Sequence, residues 1–412
     1  MAVNAWTVTF ALVAASTLAQ LRYDKEFPEI GYASSAPRDA IARLQQRIDA
    51  GEAQLKFEAP NGYLASILRE LDIDVDSQIL VFSKTSFQKG LIAPETPRAI
   101  YFKDDVYVAW VQESPSLEIS TMAPELGAVF YTLDQAQNVR PAFERQTFLC
   151  LRCHDSYSLT GGGVPRHIMG SGLPDASGRA AYHEGWYLTT EETPIDKRWG
   201  GFYVTGTHGS QPHLGNVFVK AGSGPGEAAS VDFASGANRT DLSELIDTGP
   251  YLGDHSDILA LMVIEHQINV QNLITRVSWQ ARSASTSKSM QEIAEPLVEA
   301  MLFAHEAELR APIAGSSNFA ETFVEKGPRD PKGRSLRELD LATRLFLYPC
   351  SYLIYSEAFD ALPGEVKTYI YERFRKVLGG EDTSENFAHL SEADRAAILE
   401  ILTATKTAFG KH

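Results

Sequence analysis

Cysteine, basic residues and long apolar runs are all scarce in this chain, and each scarcity narrows the choice of function. Three cysteines in 412 residues leave one Cys-x-x-Cys pair and one stray thiol, fewer than the four ligands of a usual structural zinc site. No segment approaches the roughly 18 consecutive apolar residues of a membrane span. Internal repeats and low-complexity tracts are also missing, so the remaining composition is that of an ordinary globular protein.

Lysine and arginine are outnumbered by acidic residues, 37 against 53, which gives a formal net charge of −16. This balance argues against binding to nucleic acid or to an anionic membrane surface. It is compatible with a basic redox partner protein. The chain is long enough for two or three average domains, or for one large domain.

The first nineteen residues carry no charge. An apolar run from Ala5 to Leu18 ends at Thr17-Leu18-Ala19, which has the small residues that precede a signal-peptidase cleavage site. The sequence therefore predicts a signal peptide over residues 1–19 and a periplasmic or secreted protein, with no membrane contact after its removal. No lysine or arginine precedes the run, so an upstream start or a buried N-terminal helix remains an alternative.

The most specific motif is Cys150-Leu-Arg-Cys153-His154. A Cys-x-x-Cys-His run is typical of c-type haem attachment, in which both thiols bind the porphyrin and the histidine binds its iron. We therefore predict one covalently bound haem c held by Cys150, Cys153 and His154. A thioredoxin-like redox pair or a metal-binding pair is the alternative. The third cysteine, Cys350, is expected to be a buried thiol that packs as a small hydrophobe.

The second axial ligand of the iron is not determined by the motif. Met169, together with its neighbour His167, follows His154 closely in the chain. His208 and His213 lie in a glycine-flanked loop, where the backbone can approach a cofactor. His266 lies on the apolar stripe of a predicted helix, where a hydrogen-bonded core histidine is the commoner interpretation.

Arg166, Arg198 and Trp199 are candidates to neutralise or cover the haem propionates, since guanidinium groups form bidentate pairs with carboxylates. A surface or purely structural arginine is the commoner case. The glycine run at 161–163 is not a phosphate-binding loop, because no Gly-Lys-Ser/Thr follows it.

Period-2 and period-3.6 patterns predict an α+β fold in three regions. Residues 20–150 contain an antiparallel meander of about five strands that leads into the haem motif. Residues 151–255 are rich in glycine and aromatic side chains, and we expect them to wrap the haem. Residues 256–412 are helical, and one continuous domain over 20–412 is the alternative. The predicted strands are 78–83, 99–102, 106–111, 117–120 and 128–133.

Several helices are predicted in the last third. They include 256–280 and 290–310, the second with Pro296 inside it. Ser335-Leu336-Arg337-Glu338 has the pattern of a capping box that opens a further helix. The final two are 365–378 and one that begins after Ser391 and runs through Thr405.

From Gln78 to Thr405 the chain resembles a group of large, exported bacterial proteins that carry one c-type haem and have no characterised function. The resemblance implies covalent haem, export and one continuous unit, and it brings no activity or substrate. An ordinary small cytochrome c has its motif near the start of a compact helical domain, so this chain departs from that pattern. The matching segments are 79–87, 97–111, 127–134, 150–154, 199–209 and 257–275.

Three functions are compatible with these features. The first is an exported monohaem electron-transfer protein. The second is a periplasmic haem enzyme, peroxidase- or oxidoreductase-like, that acts on peroxide, a nitrogen oxide or a small organic substrate at an open or displaceable sixth iron position. The chain is several hundred residues longer than an electron shuttle needs. The third is a haem sensor or a structural subunit of a redox assembly, although no signalling module is visible.

Overall fold

A six-stranded antiparallel sheet forms the centre of the N-terminal half. The computed structural model describes residues 29–137, 140–156, 163–181, 185–220, 230–283 and 286–410, so the predicted leader over 1–19 lies outside it. Each strand pairs with the next one along the chain. The strands are β1 (Ile79–Val81), β2 (Arg98–Lys103), β3 (Val106–Trp110), β4 (Ser116–Ala123), β5 (Gly127–Asp134) and β6 (Phe143–Arg145).

Helices occupy the C-terminal half, as the sequence predicts. Two short strand pairs lie between the halves, β7 (Gly170–Ser171) with β8 (Tyr187–Leu188) and β9 (Val219–Lys220) with β10 (Ser230–Val231). The helices are α1 (Ala40–Asp49), α2 (Leu64–Leu71), α3 (Leu151–His154), α4 (Ile258–Arg282), α5 (Met290–Met301), α6 (Phe319–Glu325), α7 (Glu357–Asp360), α8 (Gly364–Leu378), α9 (Glu392–Thr405) and α10 (Thr407–Gly410). None of these helices has the length and apolarity needed to cross a bilayer.

The two faces of the sheet pack against different helices, because successive side chains on a strand point to opposite sides. The outer face, which includes Ala99, Val108 and Ile119, shares an apolar cluster with Ile41 of α1 and Ile67 of α2. All five of these residues are buried. The first two helices therefore cover this side of the sheet.

The inner face of the sheet packs against α4. Phe102, Tyr107 and Met122 belong to the same apolar cluster as Ile258 and Ile274 of that helix. At the β4–β5 turn, Gly127 has φ +79°, and a Cβ there would lie 2.2 Å from Thr275 Cγ2. Only glycine fits this position, since both the backbone and the close approach of α4 exclude a side chain.

Two glutamines of α4 join the helix to the β2–β3 turn. Gln267 Nε2 donates to Lys103 O at 2.9 Å, and Gln271 Nε2 donates to Asp104 O at 2.6 Å. The Tyr107 hydroxyl donates to Gln271 Oε1 at 2.7 Å and accepts from Gln267 Nε2 at 2.8 Å. These bonds satisfy polar groups that would otherwise be costly to bury, and they fix the register of the helix on the sheet.

Two helix predictions are wrong. One helix is shorter than predicted, and the other does not form. The predicted helix over 290–310 ends at Met301, since the chain turns at Phe303, which has φ +57°. No helix follows Ser335, although Ser335 N–H donates to Glu338 Oε1 at 3.1 Å as a capping box requires. The segment instead forms a turn that closes as a bridge between Leu339 and Phe346, so local capping chemistry occurs without a helix.

Asp257 caps α4 and also holds the loop at 315–317. Its Oδ1 accepts from Leu259 N–H at 2.7 Å, while Oδ2 accepts from Ser316 N–H and Ser317 N–H at 2.8 and 2.9 Å. The Ser317 hydroxyl donates to the same Oδ2 at 2.8 Å. Asp257 is fully buried, so the start of the central helix depends on one carboxylate.

Replacement of Asp257 by alanine is expected to lower the free energy of unfolding by about 3 kcal/mol or more, because one helix cap and three further hydrogen bonds are lost together. Ser289→Ala, which removes the exposed cap of α5, is the matched control and is expected to cost about 1 kcal/mol. Urea unfolding followed by circular dichroism measures both. Equal losses in the two variants would contradict the central role of Asp257.

Candidate haem attachment site

The Cys-x-x-Cys-His motif forms a single helical turn after β6. The backbone N–H groups of Cys153 and His154 both donate to Cys150 O, at 3.2 and 3.0 Å. Leu151 is buried in the apolar cluster that also contains Phe130 and anchors the turn. All three cysteines are free thiols, with Cys150 half-buried, Cys153 exposed and Cys350 buried as expected.

Burial also affects the reactivity of the first motif thiol. It raises the pKa of Cys150 to about 12, and the nearby carboxylate of Glu118 acts in the same direction. Cys150 is therefore a neutral thiol at physiological pH, and thiols of this kind are poor nucleophiles and poor ligands for simple metal ions.

His154 is held in one tautomer and one orientation. Its Nδ1–H donates to Arg166 O at 2.8 Å, and Arg166 N–H donates to His154 O at 3.0 Å. The ring packs on Phe130, with 4.4 Å between ring centroids. Burial lowers the pKa of His154 below its usual value, so the ring is neutral and Nε2 carries the lone pair. A histidine whose Nδ1–H is bound to a backbone carbonyl has the arrangement typical of a metal ligand.

His167 is the most poorly satisfied side chain near the motif. Its backbone N–H and C=O bond the side-chain amide of Asn272 on α4, at 3.1 and 2.9 Å. The ring is buried 4.7 Å from Tyr107 and 6.0 Å from Phe130. Neither ring nitrogen has a hydrogen bond of ordinary distance and angle to a described residue, and the Gln271 side chain lies near the ring. Burial, and then the proximity of His154, lower the pKa of His167 to about 3 despite an opposing effect of Gln271.

Arg166 lies near a second guanidinium group, that of Arg276, and near the Asp155 carboxylate. Its Nε is buried and has no hydrogen-bond partner in the described structure. Burial lowers the pKa of Arg166, and Arg276 of α4 lowers it further, while Asp155 acts in the opposite direction. Two guanidinium groups beside one carboxylate form a place where a further carboxylate would be stabilised.

His208 and His213 form a second pair of neighbouring histidines, and the Nδ1 atoms of both rings are hydrogen-bonded within the protein. Their rings are 4.4 Å apart between centroids. His208 Nδ1–H donates to Gln211 O at 2.7 Å, and its Nε2 accepts from Asn238 N–H at 2.8 Å. His213 Nδ1 accepts from Gly215 N–H at 3.0 Å, which leaves the ring proton on Nε2. In this structure neither histidine presents a free lone pair to a metal.

His266 lies in the core, as the apolar stripe predicts, and both its nitrogens have partners. Nδ1 lies 3.3 Å from Glu191 Oε1, and Nε2 lies 2.8 Å from the Ser351 hydroxyl. Its ring stacks on Phe303 at 4.2 Å. The fourth candidate, Met169, is buried in the apolar cluster around α4.

Arg198 and Trp199 are also core residues. Arg198 Nη1 lies 3.1 Å from Glu265 Oε2 in an ion pair with side chains 3% and 0% exposed. Its other donors bind Thr193 O and Glu191 O. Burial raises the pKa of Glu265 to about 7 in spite of Arg198. Trp199 is fully buried, and its indole N–H lies near the Glu265 carboxylate, whose pKa it lowers.

The structure thus brings together Cys150, His154, Arg166 and His167, while the other candidates lie in separate, internally bonded groups. Phe130 and Asn272 join the first group through side-chain packing and hydrogen bonds. Sequence reasoning misses them because both are ordinary residues of a strand and a helix. In the described ranges no three His, Cys, Asp or Glu side chains come together as a conventional metal site.

Comparison with known proteins gives no relative. No family model, no curated protein and no solved structure matches this chain. The resemblance to exported monohaem proteins therefore stays a prediction.

His167, which lies next to the motif, should make the folded chain acid-sensitive. The pKa of His167 lies below that of an unfolded histidine, so its contribution to stability is complete above about pH 6.5 and is lost as the pH falls. We expect His167→Gln to reduce the loss of unfolding free energy between pH 7 and pH 5 by about 2 kcal/mol. Urea titration at the two pH values measures this difference.

The matched control is His305→Gln, at a histidine whose side chain is 47% exposed. That variant should keep the pH dependence of the parent. If His167→Gln loses stability with acid as steeply as the parent does, the buried imidazole does not carry the effect.

Proposed function

We propose that this chain carries one covalently attached haem c and transfers electrons outside the cytoplasm. The observation that carries the proposal is the state of His154. Its Nδ1–H is bound to Arg166 O, its lone pair is on Nε2, and two unoxidised thiols lie within one helical turn. A haem bound here supplies an iron that accepts and releases one electron.

Attachment would use each thiol in the same way. Cys150 and Cys153 would each add across one vinyl group, with a sulfur–carbon bond forming at one carbon and the thiol proton going to the other. No oxidant or reductant is consumed in this addition. His154 would then lie under the iron and bind it through Nε2.

Arg166, assisted by Arg276, would bind a haem propionate. The buried Nε–H of Arg166 has no acceptor among described residues, and a carboxylate would provide a charge-assisted one. Residues 151–255 would wrap the cofactor, since most of the described part of this region is irregular chain and such long stretches are usually functional. An exported location and a basic redox partner agree with the apolar leader and the charge of −16.

Covalent attachment is tested by expression in a host that matures c-type cytochromes. We expect the wild-type chain to gain the mass of one haem and to keep its colour after extraction with acidified acetone. Cys150→Ser and Cys153→Ser should each leave one thioether, and the double variant should release its haem on extraction. Intact-mass spectrometry and the pyridine haemochrome spectrum measure these outcomes.

Cys350→Ala is the control for the loss of a thiol, because Cys350 is buried away from the motif. It should retain the full covalent haem. Wild-type protein of unmodified mass, with three titratable thiols, would refute the proposal.

A haem enzyme with an open or displaceable sixth iron position is the second candidate. It is favoured by the hydrogen bonds that already occupy the ring nitrogens of His208 and His266, and by the accepting Nδ1 of His213. These three histidines would have to break bonds in order to bind iron. An iron without a second protein ligand is free to bind peroxide or a small gas.

We expect His208→Ala, His213→Ala and His266→Ala to leave the visible spectrum of the haem unchanged, because their nitrogens are engaged within the protein. Met169→Ala and His167→Ala test the two remaining candidate ligands. Absorption spectra of oxidised and reduced protein, with and without carbon monoxide, give the answer. Rapid carbon monoxide binding by reduced wild type would favour the enzyme, and failure to bind would favour electron transfer.

A further inference from the structure

The inner face of the sheet is incompletely covered at its centre. Ile100, Ala109 and Glu118 are paired across β2, β3 and β4, and we call them the central row. All three are partly exposed. The residues that continue this row at either side, Ile79 and Thr132, are buried at 0% and 9% exposure. The partly exposed centre of the row, which we call the opening, is therefore flanked by buried residues on both sides.

The outer face of the same strands has no such opening. Ala99, Val108 and Leu117, each one residue from a member of the central row, are 0% exposed. Because both faces belong to the same three strands, the difference arises from what packs on them. A partly exposed row with two apolar members and one carboxylate, in the middle of a large sheet, is a surface on which a ligand can be buried.

The haem motif lies beside the central row. Cys150, Cys153 and His154 lie on one helical turn, since the backbone N–H groups of Cys153 and His154 both donate to Cys150 O. Phe130, which packs on the His154 ring, is two residues before Thr132 and so shares the inner face. The thiols and the imidazole are therefore next to the opening.

An ion pair with an incomplete hydrogen-bond set borders the row. Arg98 lies on the inner face two residues before Ile100, and its Nη1 is 3.3 Å from Glu118 Oε2, with side chains 16% and 19% exposed. The Ser86 hydroxyl donates to Glu118 Oε1 at 2.6 Å. Arg98 Nε is buried and has no acceptor in the described part of the chain. A ligand with an acceptor group would satisfy this N–H.

We propose that the haem attached at Cys150 and Cys153 lies over Ile100 and Ala109, with the Arg98–Glu118 ion pair at its edge. This location rests on the proposed function and adds the surface that receives the macrocycle. Ala109 has the smallest side chain of the row, so a flat ring can approach the strands most closely there. Burial of a large apolar ring on this row would remove the exposed apolar surface from water.

The ion pair gives this location an electrostatic test. A positive charge near the iron favours the reduced state, and a negative charge favours the oxidised state, because reduction removes one unit of positive charge. Interactions of this kind are strong for partly buried charges and are screened for exposed ones. Arg98→Gln should therefore lower the reduction potential of the haem, and Glu118→Gln should raise it.

The experiment compares covalent holoproteins by spectroelectrochemical titration. We expect shifts of opposite sign for Arg98→Gln and Glu118→Gln, a potential near the parent value in the double variant, and recovery by Arg98→Lys. The control is the surface ion pair of Arg140 and Asp49. Arg140 Nη2 lies 2.9 Å from Asp49 Oδ1, and the two side chains are 64% and 59% exposed. Arg140→Gln and Asp49→Asn should shift the potential several-fold less.

A steric variant tests the same location independently. Ala109→Trp should displace the macrocycle and change its visible bands, whereas Ala396→Trp on the exposed side of α9 should not. If Ala109→Trp fails to fold, the charge variants alone decide. Shifts of the same sign, or no larger than those of the surface pair, in a wild type that holds haem would refute this location and leave the proposed function standing. A colourless wild type would refute both.

Discussion

The fit of α4 against the inner face of the sheet is the constraint on which the rest of the molecule depends. Gln267 and Gln271 bond the β2–β3 turn and Tyr107, and Gly127 allows the helix to lie against the β4–β5 turn. Buried amides with several partners specify one register more sharply than apolar contacts do, because a shifted register leaves them unsatisfied. The same helix supplies Asn272, which holds the backbone of His167. The position of the haem motif is therefore coupled to the packing of the core.

Much of the fold follows from local pattern, and the exceptions have identifiable physical causes. Strands β2 to β5 are predicted because they have five to eight residues, and β1 because it is a continuous apolar run whose three residues are all buried. The sixth strand, Phe143–Arg145, also has three residues, but none of them is buried, so no apolar pattern marks it. The helix after Met290 ends early because Phe303 adopts a positive φ while its ring stacks on His266. That contact is between residues distant in sequence, and periodicity does not report it.

The candidate site likewise combines residues that are recognisable from the sequence with contacts that only the fold reveals. Cys150, Cys153 and His154 are recognisable from spacing alone, since the proposed covalent attachment of haem requires that spacing. The bond from His154 to Arg166 O, the packing on Phe130 and the opening at the central row depend on strand register and chain path. Arg198 and His266 show the opposite case, in which suitable residue types lie in the core and are engaged by Glu265, Glu191 and Ser351.

Half-burial of Cys150 has a consequence for the order of assembly. A thiol whose pKa is raised to about 12 forms almost no thiolate at neutral pH, so disulfide exchange at this sulfur is slow in the folded chain. The folded haem-free protein would thus resist oxidation of the motif, yet it would also restrict access of a porphyrin vinyl group to the same sulfur. Under the proposed function, attachment of haem would therefore precede the packing of the motif turn against the sheet.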